Sequence, residues 1–499
     1  MKVEQIERKR IRQFKIRGLK KEDLLPLHDL LQKYDYCEKT VFGKLGADDI
    51  DDILVNYLPA YLEIHLKENS PIDRLVKIFI LARHLDDDEI KGLLEDVHIE
   101  KLMDVGVLDR DEMGYFSNVA IFPCKWAFLA TDHMFTTAFH PNSVYPLGMD
   151  SYVLARALID GKFQNTLDMC CGCGVHGILA ARQSRKVTGI DKNPRAVNFA
   201  RFNALLNQLE NVEFRSGDIY EPVEDKDFDW IIANPPFVPS PEKTLYFRHG
   251  SESGEGISKS VIAGIPDHLR DYGYAQIVTS MVMRDGEDYL KKISGWLGDE
   301  HFHILALGTR FGPIHRYILN HVTTDVRSPE YYRDIVTWVK SYRKGGIISI
   351  GDGLLNFKRT HEKESISEFR NFRMPKPGQD IEIKQILDYM DIYDDNEEFD
   401  KLLELAFEIS GDVQFCWQGK KPSGEVSYGA LFNPGAVFEG VLNGENERVI
   451  FDILFEGTRS GKEIKAKFED RLKDSSASKD ETFQRAFLNV LKEGIIRSI

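Results

Sequence analysis

The chain has no apolar run near the roughly 20 residues that a membrane-spanning helix needs. Its first residues, Met1-Lys2-Val3-Glu4-Gln5-Ile6-Glu7-Arg8, lack the apolar core of an export signal. No membrane partner is expected, and a cytoplasmic location is the default. Positive charge is in deficit: 65 Lys and Arg against 80 Asp and Glu leave −15. That weighs against a nucleic-acid partner but leaves room for a local basic surface. Cysteines number six, three of them in Cys170-Cys171-Gly172-Cys173. Adjacent cysteines suit neither a disulfide framework nor zinc spacing, so they read as small reduced residues in a tight turn, and no metal is expected. Internal repeats and long low-complexity tracts are absent too.

What remains is an ordinary globular composition, 42% hydrophobic and 29% charged, over 499 residues. That length predicts about three domains. Residues 1–130 read as a helical, winged-helix-like part. It holds helical spacing from Leu24 to Leu66, helices over Ile72–Leu85 and Asp86–Glu95 and near Ile99–Val105, then a two-stranded ribbon from Val107 to Phe116. The basic residues of the first 25 (Arg8, Lys9, Arg10, Arg12, Lys15, Arg17, Lys20, Lys21) read as a solvated helical face, with an RNA-touching arm as the sharper alternative. Residues 120–148 read as an aromatic-rich connector in which His140, before a proline, is structural. From Tyr145 to about Arg359 strands and helices alternate, which predicts a parallel, doubly wound sheet. Strands are expected at Thr166–Cys170, Lys186–Asp191, Val212–Arg215, Trp230–Ala233, Tyr274–Met281, Phe302–Leu307 and Gly346–Ile350. An acidic stretch, 380–400, leads to a C-terminal part (375–499) with helices at Arg448–Phe455, Ser460–Leu472 and Glu481–Leu491, a second winged-helix-like pattern.

Everything is arranged around Asp229-Trp230-Ile231-Ile232-Ala233-Asn234-Pro235-Pro236-Phe237. A buried strand stops at two prolines, which withhold two donors and keep the backbone extended. The Asn234 side chain and the carbonyl beside it are left at a carboxyl strand end, where open α/β sheets hold ligands. Two adjacent acceptors suit a planar –NH2 group, and Phe237 offers a stacking face. A carboxylate here would invite protonation of the amine and hide its lone pair. Taken alone, Asn-Pro-Pro is as readily a rigid turn.

Upstream residues change those odds. Asp168 precedes the glycine turn, where it can meet a cationic amino group. Asp191 ends the next strand, where an acid takes ribose hydroxyls. Asp218 follows the third strand, placed to accept from an adenine amine. A dinucleotide accounts for the turn and Asp191 only, and the turn lacks its third-glycine spacing. S-adenosylmethionine accounts for Asp168, Asp191, Asp218 and Asn234 together.

Residues 145–310 resemble the class I S-adenosylmethionine-dependent methyltransferases with an Asn-Pro-Pro-Phe/Tyr motif, most of all the HemK-type glutamine methyltransferases that act on release factors. The likeness continues through Val238-Pro239, Arg248–Ile257 and Leu269–Tyr274. It implies a Rossmann-like α/β fold with a mostly parallel seven-stranded sheet over 131–360, flanked by the helical or winged-helix-like parts. It implies that Asp168 and the turn Cys170, Cys171, Gly172 and Gly174 hold the methionine moiety. Asp191, with Lys192 beside it, would hold the ribose, and Asp218 and Ile219 the adenine. Asn234, Pro235, Pro236 and Phe237 would hold the target nitrogen. Cys170 stands where the family has its first glycine, and Phe237 where it usually has tyrosine. Residues 360–499 and the larger N-terminal part are additions, and the Trp338–Arg359 ending looks like larger bacterial methyltransferases.

The expected reaction is in-line methyl transfer to nitrogen, with no dedicated general base; Arg248 and His249 are substrate-side candidates. A Gln or Lys side chain of a protein or peptide is preferred as acceptor. The alternatives are an RNA exocyclic amine, a small molecule and, last, a non-catalytic scaffold. Oligomeric state is not readable.

Overall fold

The structure, a computed structural model, describes residues 19–135, 142–223, 228–241, 249–251, 254–309, 311–322, 324–360, 365–372, 383–392, 396–409, 413–418, 427–432, 445–472, 478–492 and 496–498. The basic arm before Leu19, His140 and Arg248 lie outside these, as does the side chain of His249.

Its central sheet contains β1 (Phe163–Met169), β2 (Ser184–Asp191), β3 (Val212–Ser216), β4 (Phe228–Ala233), β5 (Leu269–Arg284), β6 (Phe302–Gly308), β7 (Ile347–Arg359) and β8 (Ser367–Asn371). In space they run β8-β6-β7-β5-β4-β1-β2-β3, with Gly312–Pro313 pairing onto β7. Only β7 runs antiparallel to its strand neighbours β5 and β6. β1–β7 form the expected mostly parallel seven-stranded sheet, to which β8 is added. The chain winds outward from β1 to β3, then restarts on the other side with β4. This reversal point is where such sheets bind ligands, and here Met169 pairs with Ala233. The carboxyl ends of β1 and β4 therefore lie side by side, with Asp168 opposite Ile232 and Asn234 two residues further on.

The helices around the sheet include α1 (Met149–Ala157), α2 (Val175–Ala180), α3 (Pro194–Leu206) and, late in the chain, α4 (Ile314–His321) and α5 (Pro329–Lys344). One face shares a continuous apolar core with the N-terminal helices, from Leu24 through Phe42 and Phe79 to Phe199 and Trp230. The other face packs on Val261, Ile262 and Ile293. A separate core holds the helices Glu445–Phe455, Gly461–Arg471 and Lys479–Lys492, beside the strand pair Phe407–Ile409 and Ile496–Ser498. No described helix is long and apolar enough to cross a membrane.

Three expectations need correction. The helix expected over Ile72–Leu85 stops at Phe79. Leu85 exchanges two backbone hydrogen bonds with Tyr115, each 2.8 Å, so the chain must turn to extended there. β7 runs well past Ile350, through Gly351 and Gly353, to Arg359. Gly353 is needed: a Cβ there would stand 2.2 Å from Met281 Cε on β5. The supposed connector contains a fully buried hairpin, Ala120–Cys124 with Ala127–Thr131. Its free edge is completed by two asparagines one turn apart, Asn203 and Asn207. They exchange side-chain hydrogen bonds of 2.7–2.9 Å with the backbone of Ala130 and Phe128.

A buried charge joins the N-terminal part to the sheet. Arg156 of α1, 2% exposed, donates to Glu38 Oε2 at 2.9 Å and Asp49 Oδ2 at 2.8 Å. Its removal strands two mostly buried carboxylates, so Arg156→Ala is expected to cost about 3 kcal/mol or more. The first unfolding transition in urea should move to lower concentration, and adding Glu38→Gln should recover part of the loss.

Candidate active site

Four strands deliver four polar residues to one edge. Asp168 is fully buried near the end of β1. Its Oδ2 accepts from Gly177 N–H at 2.7 Å, while Oδ1 has no hydrogen-bond partner. Burial pushes this carboxyl up to about 7, with the Asp191 charge adding and the Gly177 bond opposing. A buried carboxylate oxygen without a donor is a costly arrangement that a cationic ligand relieves.

The turn after β1 is built for close approach. Cys170 has φ +55°, Gly172 +54° and Gly174 +84°. For Cys170 that left-handed conformation costs about 1 kcal/mol, the consequence of a side chain where the family has glycine. A Cβ on Gly172 would meet nothing within 4 Å, so the outer side of the turn is open. At Gly174 a Cβ would lie 2.8 Å from Phe214 and 2.9 Å from Ala200. The thiols of Cys170 and Cys171 are raised by burial, and that of Cys173 is pushed up to about 12, so all three stay protonated at neutral pH.

Asp191 closes β2. Its Oδ2 accepts from Gly172 N–H and its Oδ1 from Asn193 N–H, both 2.8 Å, so the side chain locks the turn. Each oxygen keeps a further lone pair for a ligand hydroxyl. Lys192 is largely exposed and pairs with Asp218 at 2.5 Å across the strand ends. Ile219 next to it has φ +48°. Open backbone at Gly172, the orphaned oxygen of Asp168 and the acceptors of Asp191 and Asp218 together fit S-adenosylmethionine.

Asn234, Pro235, Pro236 and Phe237 follow the end of β4, and Phe237 packs between two cores. A partner not anticipated from the sequence completes this corner. Asn234 Nδ2 donates to Asp150 Oδ2 at 2.7 Å and lies 3.5 Å from Ser151 Oγ. A carboxylate only accepts, so the contact sets which way the amide points. Oδ1 is thereby turned away from Asp150, and no donor reaches it among the described residues. Tyr145 OH donates to the other oxygen of Asp150 at 3.0 Å. Gly148 permits this approach, since a Cβ there would sit 2.2 Å from the tyrosine hydroxyl. Burial raises the Asp150 pKa, and the Asn234 and Tyr145 bonds pull it down. Asp51 and Asp352 are raised first by burial, and in both the charge of Asp150 adds. Acceptor and cofactor halves are joined by His176 of α2, which meets the Ser151 carbonyl at 3.2 Å. Burial lowers its pKa to about 4, so the ring is neutral and donates this bond.

Asp150 escaped the sequence reading because an acid in the first turn of a helix is already explained by the helix dipole. Its role rests on an 84-residue contact that no local pattern encodes. Asp150→Asn is expected to lower kcat about a hundredfold, since an amide pair leaves the Asn234 orientation undecided. Cofactor affinity should hold within about twofold by equilibrium dialysis. The acid limb of the wild-type kcat–pH profile, lying above the ordinary carboxylate range because the Asp150 pKa is raised, should vanish in the variant.

Comparison with known proteins agrees with this construction. Residues 146–296 match the methyltransferase small domain. A putative protein N5-glutamine methyltransferase of Methanocaldococcus jannaschii is 35% identical over 155 residues, covering 30% of this chain and 77% of that protein. A release factor glutamine methyltransferase of Fusobacterium nucleatum is 31% identical over 170 residues, 31% of this chain and 46% of the relative. An uncharacterized RNA methyltransferase of Protochlamydia amoebophila is 35% identical over 130 residues, 25% of this chain and 26% of the relative. The chain thus spans about half the Fusobacterium protein and a quarter of the Protochlamydia one, but more than three quarters of the archaeal one. With strand order, glycine turn and the Asn-Pro-Pro-Phe corner in place, it belongs to the class I S-adenosylmethionine-dependent methyltransferases that carry this small domain, and it is an enzyme of that family.

Proposed function

We propose that this enzyme methylates the side-chain nitrogen of a polypeptide, a glutamine amide before a lysine amine. The observation that carries the reading is the Asn234–Asp150 contact. It leaves Asn234 Oδ1 to act, together with the Pro235 carbonyl, as an acceptor pair for the two hydrogens of a planar –NH2. Relatives named as glutamine methyltransferases support the same choice. On this reading residues 131–360 are the catalytic domain, and 1–130 and 375–499 are flanking domains that recognise the polypeptide.

The chain's residues work chiefly by positioning, which can contribute several kcal/mol to the barrier. Bound S-adenosylmethionine supplies an electrophilic methyl on a sulfonium. Asp168, through its unpartnered Oδ1, would hold the ammonium of the amino-acid end, Asp191 the ribose hydroxyls, and Asp218 with Ile219 the adenine. Asn234 Oδ1 and Pro235 O orient the acceptor amino group, and Phe237 clamps its plane. As positive charge grows on that nitrogen, both acceptors stabilise it, the counterpart of donors around an oxyanion. Asp150 keeps the amide from rotating, and the proton leaves to water.

The test uses methyl-labelled S-adenosylmethionine in cell extract from a strain lacking this protein, fractionated into protein, RNA and small molecules. Label on a protein band, absent with Asn234→Ala and mapped by mass spectrometry to glutamine, is the expected result. Label on lysine corrects the side chain, and label in RNA overturns the reading.

A further inference from the structure

The pair α4–α5 stands directly behind the Asn-Pro-Pro-Phe corner. Tyr342 OH donates to the Pro239 carbonyl at 2.8 Å, and Tyr317 OH lies 2.7 Å from Ser280 Oγ on β5. Tyr317, Ile318, Trp338 and Tyr342 share a small core with Val238, against which Phe237 packs. The inner face of α5 is therefore committed to the acceptor corner.

Its outer face is of opposite character to the rest of the chain. Arg333, Lys340 and Lys344 recur at spacings of seven and four, one stripe of a helix, and all are exposed. Between residues 311 and 350 six Lys and Arg (Arg316, Arg327, Arg333, Lys340, Arg343, Lys344) face three acids (Asp325, Glu330, Asp334), +3 within a chain of −15. Arg327 and Arg333 are paired, to Asp325 and Asp334. Arg316, Lys340, Arg343 and Lys344 form no ion pair among the described residues. Tyr332, next to Arg333 and about 100° round the helix from the stripe, is 78% exposed. Favourable interaction with the helix dipole accounts for Arg343 and Lys344 in the last turn. It does not account for Arg316, Arg333 or the exposed ring.

We propose that the outer face of α5, on the far side of the helix from the acceptor corner, binds the phosphate backbone of RNA, with Tyr332 as a stacking platform for a base. The cations from Arg333 to Lys344 span about 16 Å of helix, enough to follow successive phosphates. Cations alone would also suit an acidic peptide; the exposed ring flanking the first of them favours nucleic acid, because every base has a face to stack. The surface is separate from the methyl-transfer corner, so it is testable without an acceptor and whatever the acceptor proves to be.

Anisotropy of a fluorescent single-stranded oligoribonucleotide with the full-length protein, over a series of salt concentrations, tests this. About three phosphate contacts predict a slope of log affinity on log salt near −2. The triple variant Arg333→Glu, Lys340→Glu, Lys344→Glu should bind at least about tenfold more weakly with a flatter slope. Tyr332→Ala should lose about tenfold with the slope unchanged. Unaltered S-adenosylmethionine binding shows that each variant is folded. Equal RNA affinity in the triple variant, no binding by the wild type at about 50 mM salt, or displacement of the RNA by polyglutamate at equal charge would each overturn the proposal.

Discussion

Asn234→Ala is expected to lower kcat by about a thousandfold while cofactor affinity stays within about twofold. Removing one preorganised hydrogen-bonding group at a developing charge costs 10²–10³ in other enzymes, and here the lost acceptor also orients the nucleophile. The change leaves Asp150 without its amide donor, though Tyr145 still holds the other oxygen. Asn234→Asp is the more searching variant. It sets a second carboxylate against Asp150, whose pKa burial already raises, so one of the two must take a proton. That variant should be as inactive as alanine at neutral pH, yet bind the cofactor. Single-turnover transfer to the acceptor fraction, with cofactor dissociation constants measured separately, checks both. An Asn234→Ala enzyme retaining a tenth of wild-type kcat would remove Asn234 from the mechanism.

The second large effect concerns Asp168. In the cofactor-free protein its carboxyl titrates near 7, pushed up first by burial. An ammonium needs the carboxylate, so binding draws the proton off. The sign follows. Below pH 7 part of the binding energy goes into deprotonation, and affinity for S-adenosylmethionine should rise about tenfold from pH 6 to pH 8, before correction for the ligand's own amine. Proton release, measured by calorimetry in buffers of different ionisation enthalpy, should approach one per site at pH 6 and fade by pH 8. The free protein should show the complementary trend. A carboxyl raised in the folded state favours folding at low pH, so stability from this group declines as pH climbs from about 4 to about 7. Asp168→Asn should abolish the pH dependence and weaken binding about 10- to 100-fold, the worth of a charged hydrogen bond. A pH-independent wild-type affinity would show that Asp168 does not meet the ammonium.

Much of the scaffold was readable because its cues are local. Alternating strands and helices gave the mostly parallel sheet and placed Asp168, Asp191, Asp218 and Asn234 at successive strand ends, where the structure has them. Glycines in a turn and prolines after an apolar run act through their own backbone, so their meaning survives without tertiary context. β7 was cut short for the opposite reason. The reason for glycine beyond Ile350 lies across the strands: Met281 occupies the space a side chain at Gly353 would need, and Phe311 crowds Gly351. The Ala120–Thr131 hairpin was hidden in the same way, since its edge is satisfied by Asn203 and Asn207 on a distant helix.

By itself, then, the sequence determined the sheet, the turn and the acceptor motif, each set by dihedral preference, burial period or donor count within a short window. Tertiary structure alone decided how those parts are held. It brought Asp150 to Asn234, Arg156 to Glu38 and Asp49, His176 to Ser151, and the basic face of α5 to the back of the catalytic corner. These are hydrogen bonds and charge contacts between residues dozens of positions apart. An acid in a first helical turn or an arginine on a helix looks the same in sequence whether it meets water or a buried partner; only the fold removes the water.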